Sequence, residues 1–493
     1  MSPLSRRELI KRASWLSAGL LASPAVLAAC GRAGPSASTG PAAPPASASG
    51  SSGVVTGTTQ VLVGFGTGNA PDQIPVQEEL ATAYAAARPG ASIDYLRIPD
   101  TDEAQRKLGL LIAADDAPDL VLPTGLYGIA LYLDQNVWQD LSGLMAAYGI
   151  GLELFHEATH RAARAVNYYG ADSKAVVGLP AGIFTHAMAY NKELFAQAGI
   201  PEPPHKDDQA DWTYERQLEI ARALTVDTAG KSADMAGFDP SKVAQYGLGH
   251  WDTGMMIRGF GGSVYDAASR RMTIADDRYA QGLQFGADLI NVHHVLANDE
   301  LAAGVAAGAD DPQLAAWRSG KIAMIDMCAC DLLSFGVDTQ FAWDVAQWPR
   351  GPERLVSHLN LDVGAIVQQS DGYDAAWQVL QFLLVDPANG ARLSTESYGA
   401  MSPLKAETGT FVEELKPRFP DVDLQVFVDA LDHSTPEQEE WFPAFTKVND
   451  MFGQYLDAVY QGEAPAADQL PAYQEAAQQA VDDWFETHTV PPA

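Results

Sequence analysis

The chain has 493 residues, 47% of them hydrophobic, which supplies apolar material for two or more cores and excludes a disordered chain. Acidic residues outnumber basic ones 63 to 31, a formal charge of -32, so nucleic acid and anionic lipid headgroups are repelled and are not expected partners. No run after residue 30 is long and apolar enough to span a bilayer.

At the amino terminus, Ser5-Arg6-Arg7-Glu8-Leu9-Ile10-Lys11 reads as a twin-arginine export signal, followed by an apolar stretch from Ala13 to Ala29. That stretch is short and interrupted by Ser14, Ser17, Ser23 and Pro24, so residues 1–29 are expected to be removed rather than retained as a membrane helix. It ends in Leu27-Ala28-Ala29-Cys30, a lipobox that would leave Cys30 lipidated at the new terminus. Residues 30–57 are rich in Ala, Pro, Ser and Gly with almost no charge, the composition of a disordered tether.

The folded part is expected from residue 58. Val61–Phe65 reads as a buried strand entering a loop at Gly66-Thr67-Gly68-Asn69. Val76, Leu80 and Tyr84 then recur at spacing four on one helical face, closed by Pro89-Gly90. Ile93–Ile98 is a second strand. Asp100 offers an N-cap with Glu103 three residues on, opening a helix that buries Ala104, Leu108, Leu111 and Ile112. Leu120-Val121-Leu122 is a third strand. Strands alternating with helices imply right-handed crossovers, a largely parallel sheet and an α/β fold. Ligands in such sheets sit beyond the carboxyl ends of the strands, which marks Gly66–Asn69, with Thr67 and Asn69, and the loop Pro123–Tyr127 as binding candidates.

The stretches AAARPGASIDYLRIP and KLGLLIAADDAPDLVLP resemble the opening of the family 1 extracellular solute-binding proteins, the receptors of ABC importers that include the maltose-binding protein. Further blocks follow in the family's order. They are Gly178-Leu179-Pro180, then Tyr190-Asn191-Lys192-Glu193-Leu194-Phe195 with Ala198-Gly199-Ile200-Pro201. Tyr246-Gly247-Leu248, Gly261-Gly262, Gly320-Lys321-Ile322-Ala323-Met324, Trp343-Asp344-Val345-Ala346 with Pro349, and Gly399-Ala400-Met401-Ser402-Pro403 complete the series. The resemblance implies a two-lobed periplasmic-binding-protein-like fold of type II with three hinge crossings. One lobe would combine 58–185 with 350–398, the other 186–345 with 403–493, with crossings near Phe184–Met188, at 346–349 and at 399–402. It also implies a lipid-anchored, monomeric receptor that captures a sugar in the inter-lobe cleft, needs no cofactor, and docks on an ABC permease.

A sugar site needs aromatic faces for the C–H faces of the ring and short polar side chains for the hydroxyls. Trp251-Asp252 offers both, as a stacking platform and a hydroxyl acceptor, with packing in the core as the alternative for Trp251. Phe184 and His186 lie at the first crossing, Tyr127 in the third-strand loop, and Trp441 with Phe445 at the start of the tail helix, where the family contributes a wall. Asn360 and Asp362 are polar inside an apolar strand, and buried polar groups demand partners.

Three other constellations carry competing readings. His156-Glu157-Ala158-Thr159-His160 matches H-E-x-x-H, which on a helix would put two imidazoles on one face for zinc and make the chain a secreted metallohydrolase, although no third ligand follows in a recognisable pattern. Tyr168-Tyr169 could bind iron if further hard ligands converged, making the chain a receptor for a non-sugar solute; aromatic packing is the alternative. Besides Cys30, the only cysteines are Cys328 and Cys330. A disulfide across one residue is strained, so they are expected to be two small buried thiols.

Overall fold

Strand β1 (Gly57–Val63) lies between β2 (Ala91–Arg97) and β3 (Leu120–Thr124), parallel to both, with Val61 opposite Tyr95 on one side and Leu120 on the other. The computed structural model of the chain describes residues 53–488 apart from 171, 207–209, 306–311, 333–338 and 437–440. The export signal, Cys30 and the tether up to residue 52 lie outside the described residues. Helix α1 (Ile74–Ala87) packs Leu80 and Tyr84 onto the sheet as its period predicts, and Gln77 on the same face donates to Gly68 O at 2.9 Å, tying down the loop after β1. In α2 (Thr101–Ala113) the Asp100 carboxylate accepts from Glu103 N at 2.7 Å, the expected cap. Ala104 and Leu108 are buried there; Leu111 and Ile112, expected in the core, are only half-buried. Pro123 and Thr124 complete β3 and Leu126 already opens α3 (Leu126–Leu133), so the expected Pro123–Tyr127 loop contracts to Gly125.

The element that organises the rest is β4 (Leu179–Asn191), all thirteen of whose residues are buried. Its first half, Leu179–Thr185, runs antiparallel to β8 (Ser357–Ile366), with Leu359 opposite Thr185. From His186 onward it changes partner and pairs with β6 (Ile322–Cys328), His186 standing opposite Cys328 and Met188 opposite Asp326. On the side β8 vacates, β7 (Trp343–Ala346) pairs with Met188–Asn191. β5 (Val243–Gly249) lies parallel to β6. The sheet therefore runs β2-β1-β3-β8-β4-β6-β5, with the two-residue strand Val226–Asp227 at its far edge. Two buried apolar clusters form on it: a large one running from the β1–β3–β8 half through the tail to residues such as Leu283, Ile322, Ile325 and Val345 of the other half, and a second around Met188, Tyr190, Trp212, Tyr214 and Trp348.

Four helices complete the parts that matter for the site. They are α4 (Thr253–Gly259), capped by Asp252, then α5 (Asp277–Asn291), and in the tail α6 (Phe445–Asp450) and α7 (Phe452–Tyr460). The tail does not stay with one half of the sheet: α6 packs against α3, while α7 packs against α5.

The backbone of β5 passes unusually close to the helix Tyr214–Leu224. A Cβ added at Gly247 would lie 2.2 Å from Ala221 O and 2.7 Å from Ala221 Cα. Gly247→Ala is expected to lower stability by about 1–3 kcal/mol through this overpacking, read as a shifted urea midpoint with unchanged slope. An unshifted midpoint would contradict the close approach.

Candidate functional site

Opposite residues of an antiparallel pair share a face, so the change of partner in β4 lays one polar row across the middle of the sheet. His186 and Phe184 of β4 stand beside His358, Asn360 and Asp362 of β8 on one side, and beside Asp326 and Cys328 of β6 on the other. His186 Nδ1 sits 3.0 Å from both carboxylate oxygens of Asp326. His358 Nδ1 sits 2.5 Å from Asp252 Oδ2, while Asp252 Oδ1 caps α4 by accepting from Gly254 N at 2.6 Å. The two imidazoles stack with centroids 4.9 Å apart and planes 22° apart.

These four groups are buried, so their charges are decided by each other. Burial lowers the affinity of His186 for a proton, but the Asp326 carboxylate outweighs it and the pKa rises to about 8. For His358 burial wins and the pKa falls, helped by the stacked His186. Burial opposes ionisation of Asp252, yet His358 and Arg258 hold its carboxyl well below the usual range. Near neutral pH the seam therefore holds a protonated His186 stacked on a neutral His358, each against a carboxylate.

Along the same row, the side-chain amide of Asn360 comes within 3.4 Å of His186 Nε2, whose N–H in the protonated ring takes the amide oxygen as its acceptor. Asp362 lies half-buried beyond it, where desolvation pushes its carboxyl up to about 7. A side chain at Gly125 would stand 2.9 Å from its Oδ1, so the end of β3 is kept bare in front of this carboxyl. Asn69 donates to Val63 O and Ile98 O at 3.0 and 3.1 Å and keeps a buried unpaired Oδ1; Thr67 accepts from Gln73 Nε2 at 2.6 Å.

Adjoining the Asp252–His358 pair is a pocket with a cavity volume of about 170 Å³. One end of Arg258 points to Asp252 electrostatically and the residue also lines the pocket, which makes it the junction of the two regions. The walls are aromatic: Tyr265 and Tyr279 beside α4 and α5, and Phe442, Phe445, Phe452 and Tyr473 from the tail. Arg161 and Asn167 close it from the segment before β4, with Arg161 Nη2 donating to Asn167 Oδ1 at 2.9 Å. Segments from both halves of the sheet thus meet here.

Several expected contacts fall elsewhere. Trp251 is 9% exposed and packs edge-on to Trp348 at 4.5 Å within the second core, the packing alternative rather than an open platform. Trp441 is fully buried and cannot form a wall; its neighbours Phe442 and Phe445 do so instead. Tyr127 lies on α3, and its side chain is outside the described residues. Sequence reasoning did not single out Arg161, Asn167, Tyr265, Tyr279, Phe452 or Tyr473. An aromatic spacing through 442–455 is the one local signal that could have drawn attention to the tail.

The metal readings lose their geometry. Glu157–Thr159 form a 3-10 turn and His160 begins a separate short helix, so the two imidazoles do not share a helical face. His156 Nε2 is bonded to Thr408 Oγ1, and His160 Nε2 lies 2.7 Å from Leu152 O. Tyr168 is buried, donates to Leu133 O at 3.1 Å and packs edge-on against Trp484, as aromatic packing requires. Cys328 and Cys330 correct the expectation of two buried thiols: they form a disulfide, and Cys330 is exposed. An extended chain would separate their Cα atoms by ~6.6 Å. Here the chain leaves β6 into the turn Ala329–Asp331, bringing them to 5.1 Å, inside the range a disulfide spans.

A two-halved α/β sheet threaded by one shared strand, with a concave aromatic site drawing on both halves, defines a solute-binding protein. The chain belongs to the bacterial extracellular solute-binding proteins, whose family model matches residues 69–390. A putative binding protein of Brucella abortus (strain 2308) is 22% identical over 402 residues, covering 79% of this chain and 85% of its own. Among solved structures, an ABC substrate-binding protein of Listeria monocytogenes in complex with cycloalternan superposes with a TM-score of 0.66 at 16% identity, covering 87% of this chain and 100% of its own. The cyclic alpha-maltosyl-1,6-maltose binding protein of Arthrobacter globiformis gives 0.64 at 17% identity, with coverage of 87% and 100%. These likenesses assign the two-lobed type II fold.

The seam makes stability depend on pH. The folded pKa of His186 lies above its unfolded value of ~6.5, so its contribution is fully present below that value and fades as pH rises through about 8. Asp326→Asn is expected to abolish the fall in melting temperature between pH 6.5 and 8 and to cost on the order of 2 kcal/mol at pH 6.5. A variant with the parental pH profile would refute the pairing.

Proposed function

We propose that the protein is the substrate-binding component of an ABC importer, and that it captures a sugar or oligosaccharide without altering it. The observation that carries this is the pocket itself. Seven aromatic rings and a few amide and guanidinium groups, drawn from both sides of β4, are the chemistry needed to pack on pyranose faces and satisfy hydroxyls. The printed descriptions of its structural neighbours point the same way, since they bind cycloalternan and cyclic maltosyl-maltose.

In this reading the lobes are 58–185 with 350–398 and 186–345 with 403–493, the tail also reaching the first lobe where α6 packs against α3. The partner exchange of β4 between Thr185 and His186 supports the first boundary. Ligand bridging both lobes stabilises a closed form, which then docks on the membrane permease subunits. The receptor works as a monomer, is exported by the twin-arginine signal and is held at the membrane by lipid on Cys30.

A thermal-shift panel of oligosaccharides is expected to contain members that raise the transition, by an amount equivalent to about 2.7 kcal/mol when ligand is present at 100 times Kd. Phe452→Ala should weaken such a hit by roughly tenfold, about 1–2 kcal/mol of lost apolar contact. A panel in which no sugar shifts the transition would remove the carbohydrate reading. Separately, Cys30→Ala should move the exported protein from the membrane fraction to the soluble one. Retention of the variant on membranes would exclude the lipid anchor.

A further inference from the structure

We propose that the Cys328–Cys330 bridge is a thiol–disulfide exchange site, at which a low-molecular-weight thiol adds to Cys330; this goes beyond solute capture. The bridge has Ala329 alone between its cysteines. A disulfide stabilises a fold chiefly by restricting the unfolded chain, and that gain shrinks with the length of the loop it closes. A bridge this local therefore does little to hold the chain together. Its two ends also differ. Cys328 ends β6 and is 2% exposed, whereas Cys330 is exposed on the turn that follows. Bridges that solvent reaches are the ones open to exchange.

The surroundings of the inner sulfur suit it to leave. Cys330 N donates to Cys328 Sγ at 3.2 Å, so a backbone N–H already faces the atom on which charge would develop. Cys328 stands opposite His186 in the β4–β6 pairing. The Asn360 side chain lies 3.4 Å from His186 Nε2 and 3.9 Å from Cys328 Sγ, so ring and sulfur share a neighbour. Asp326, two residues back on the same face of β6, keeps a proton on His186 from 3.0 Å and is itself matched by it. The imidazolium therefore stands as positive charge near the sulfur. Asp331, on the turn, acts against a negative sulfur, but it too interacts with His186.

The order of events follows from this asymmetry. A thiolate R–S⁻ attacks Cys330 Sγ, the sulfur that solvent reaches, and forms a mixed disulfide there. The Sγ–Sγ bond breaks and its electron pair goes to Cys328 Sγ, which leaves as a thiolate facing the Cys330 N–H and the His186 imidazolium. A thiolate leaves faster when its charge is stabilised, so these groups speed the opening. A second R–S⁻ attacks the R sulfur of the mixed disulfide, forming R–S–S–R and releasing Cys330 as a thiolate. Both cysteines then take protons from water. Two thiols are oxidised and one bridge is reduced. Opening unties the turn Ala329–Asp331 from the end of β6, beside the residue at which β4 changes partner.

Glutathione is the probe that tests this on the full exported chain, read by mass spectrometry after acid quenching. Reduced glutathione at millimolar concentration is expected to open the bridge within minutes, passing through one glutathione on Cys330, while the melting transition stays cooperative. Oxidised glutathione should label Cys330 in Cys328→Ser about tenfold or more faster than it labels Cys328 in Cys330→Ser. His186→Gln should slow opening of the bridge about tenfold, yet leave labelling of Cys330 in the Cys328→Ser background unchanged, because no inner thiolate forms there. A bridge still closed in the native chain after a day with reduced glutathione would overturn the proposal, as would equal labelling of the two cysteines or an opening rate untouched by His186→Gln. If the variants do not fold, opening of the unmodified bridge decides alone.

Discussion

The structure depends on β4 being one strand with two masters. Its thirteen buried residues are shared between half-sheets that cannot both continue along it, so hydrogen-bond partners must be exchanged within a single peptide step. At such a point the side chains of three strands converge in a place water does not reach. This seam carries two imidazoles and two carboxylates there, and burial would be punishing unless each charge met its opposite. Asp326 answers the charge of His186 from the β6 side, while at the cap of α4 the Asp252 carboxylate meets Arg258 and lies against the His358 ring. The polar pairs thus join the two half-sheets at the position where backbone bonding between them changes hands.

Much of the first half-sheet was written locally. The apolar runs of β1 and β3, the period-four face of α1 and the Asp100–Glu103 cap are all short-range signals, and each stands where the spacing places it. Asn360 and Asp362 were also legible, because a polar residue inside an apolar strand is an anomaly visible without coordinates. The limit came where local pattern and packing diverged. Trp251 reads as a platform because Asp252 follows it, with core packing as the alternative, and Trp441 as a wall through the family resemblance; both rings instead fill core space.

What stayed hidden is what the chain builds from distant pieces. His186 and Asp326 are separated by 140 positions, and Asp252 reaches His358 only through the order of the sheet. The aromatic pocket is more scattered still, drawing on the segment before β4, on α4 and α5, and on the tail. No periodicity connects such residues, since each obeys the helix or strand that carries it. The H-E-x-x-H and Cys-x-Cys patterns show the converse. Residue types at a suggestive spacing become a 3-10 turn with separately committed imidazoles, and a disulfide closed by a bend.

The way the chain enters the fold has a consequence for orientation. Gln378 grips the incoming backbone from two sides, accepting from Val55 N at 3.2 Å and donating to Gly53 O at 2.9 Å, just before Gly57 starts β1. That clamp sits at the starting edge of the parallel strands, whereas the bare Gly125 and the Gly66–Asn69 loop sit at their finishing edge. Any pull exerted through residues preceding Gly53 is therefore borne by the back of the molecule.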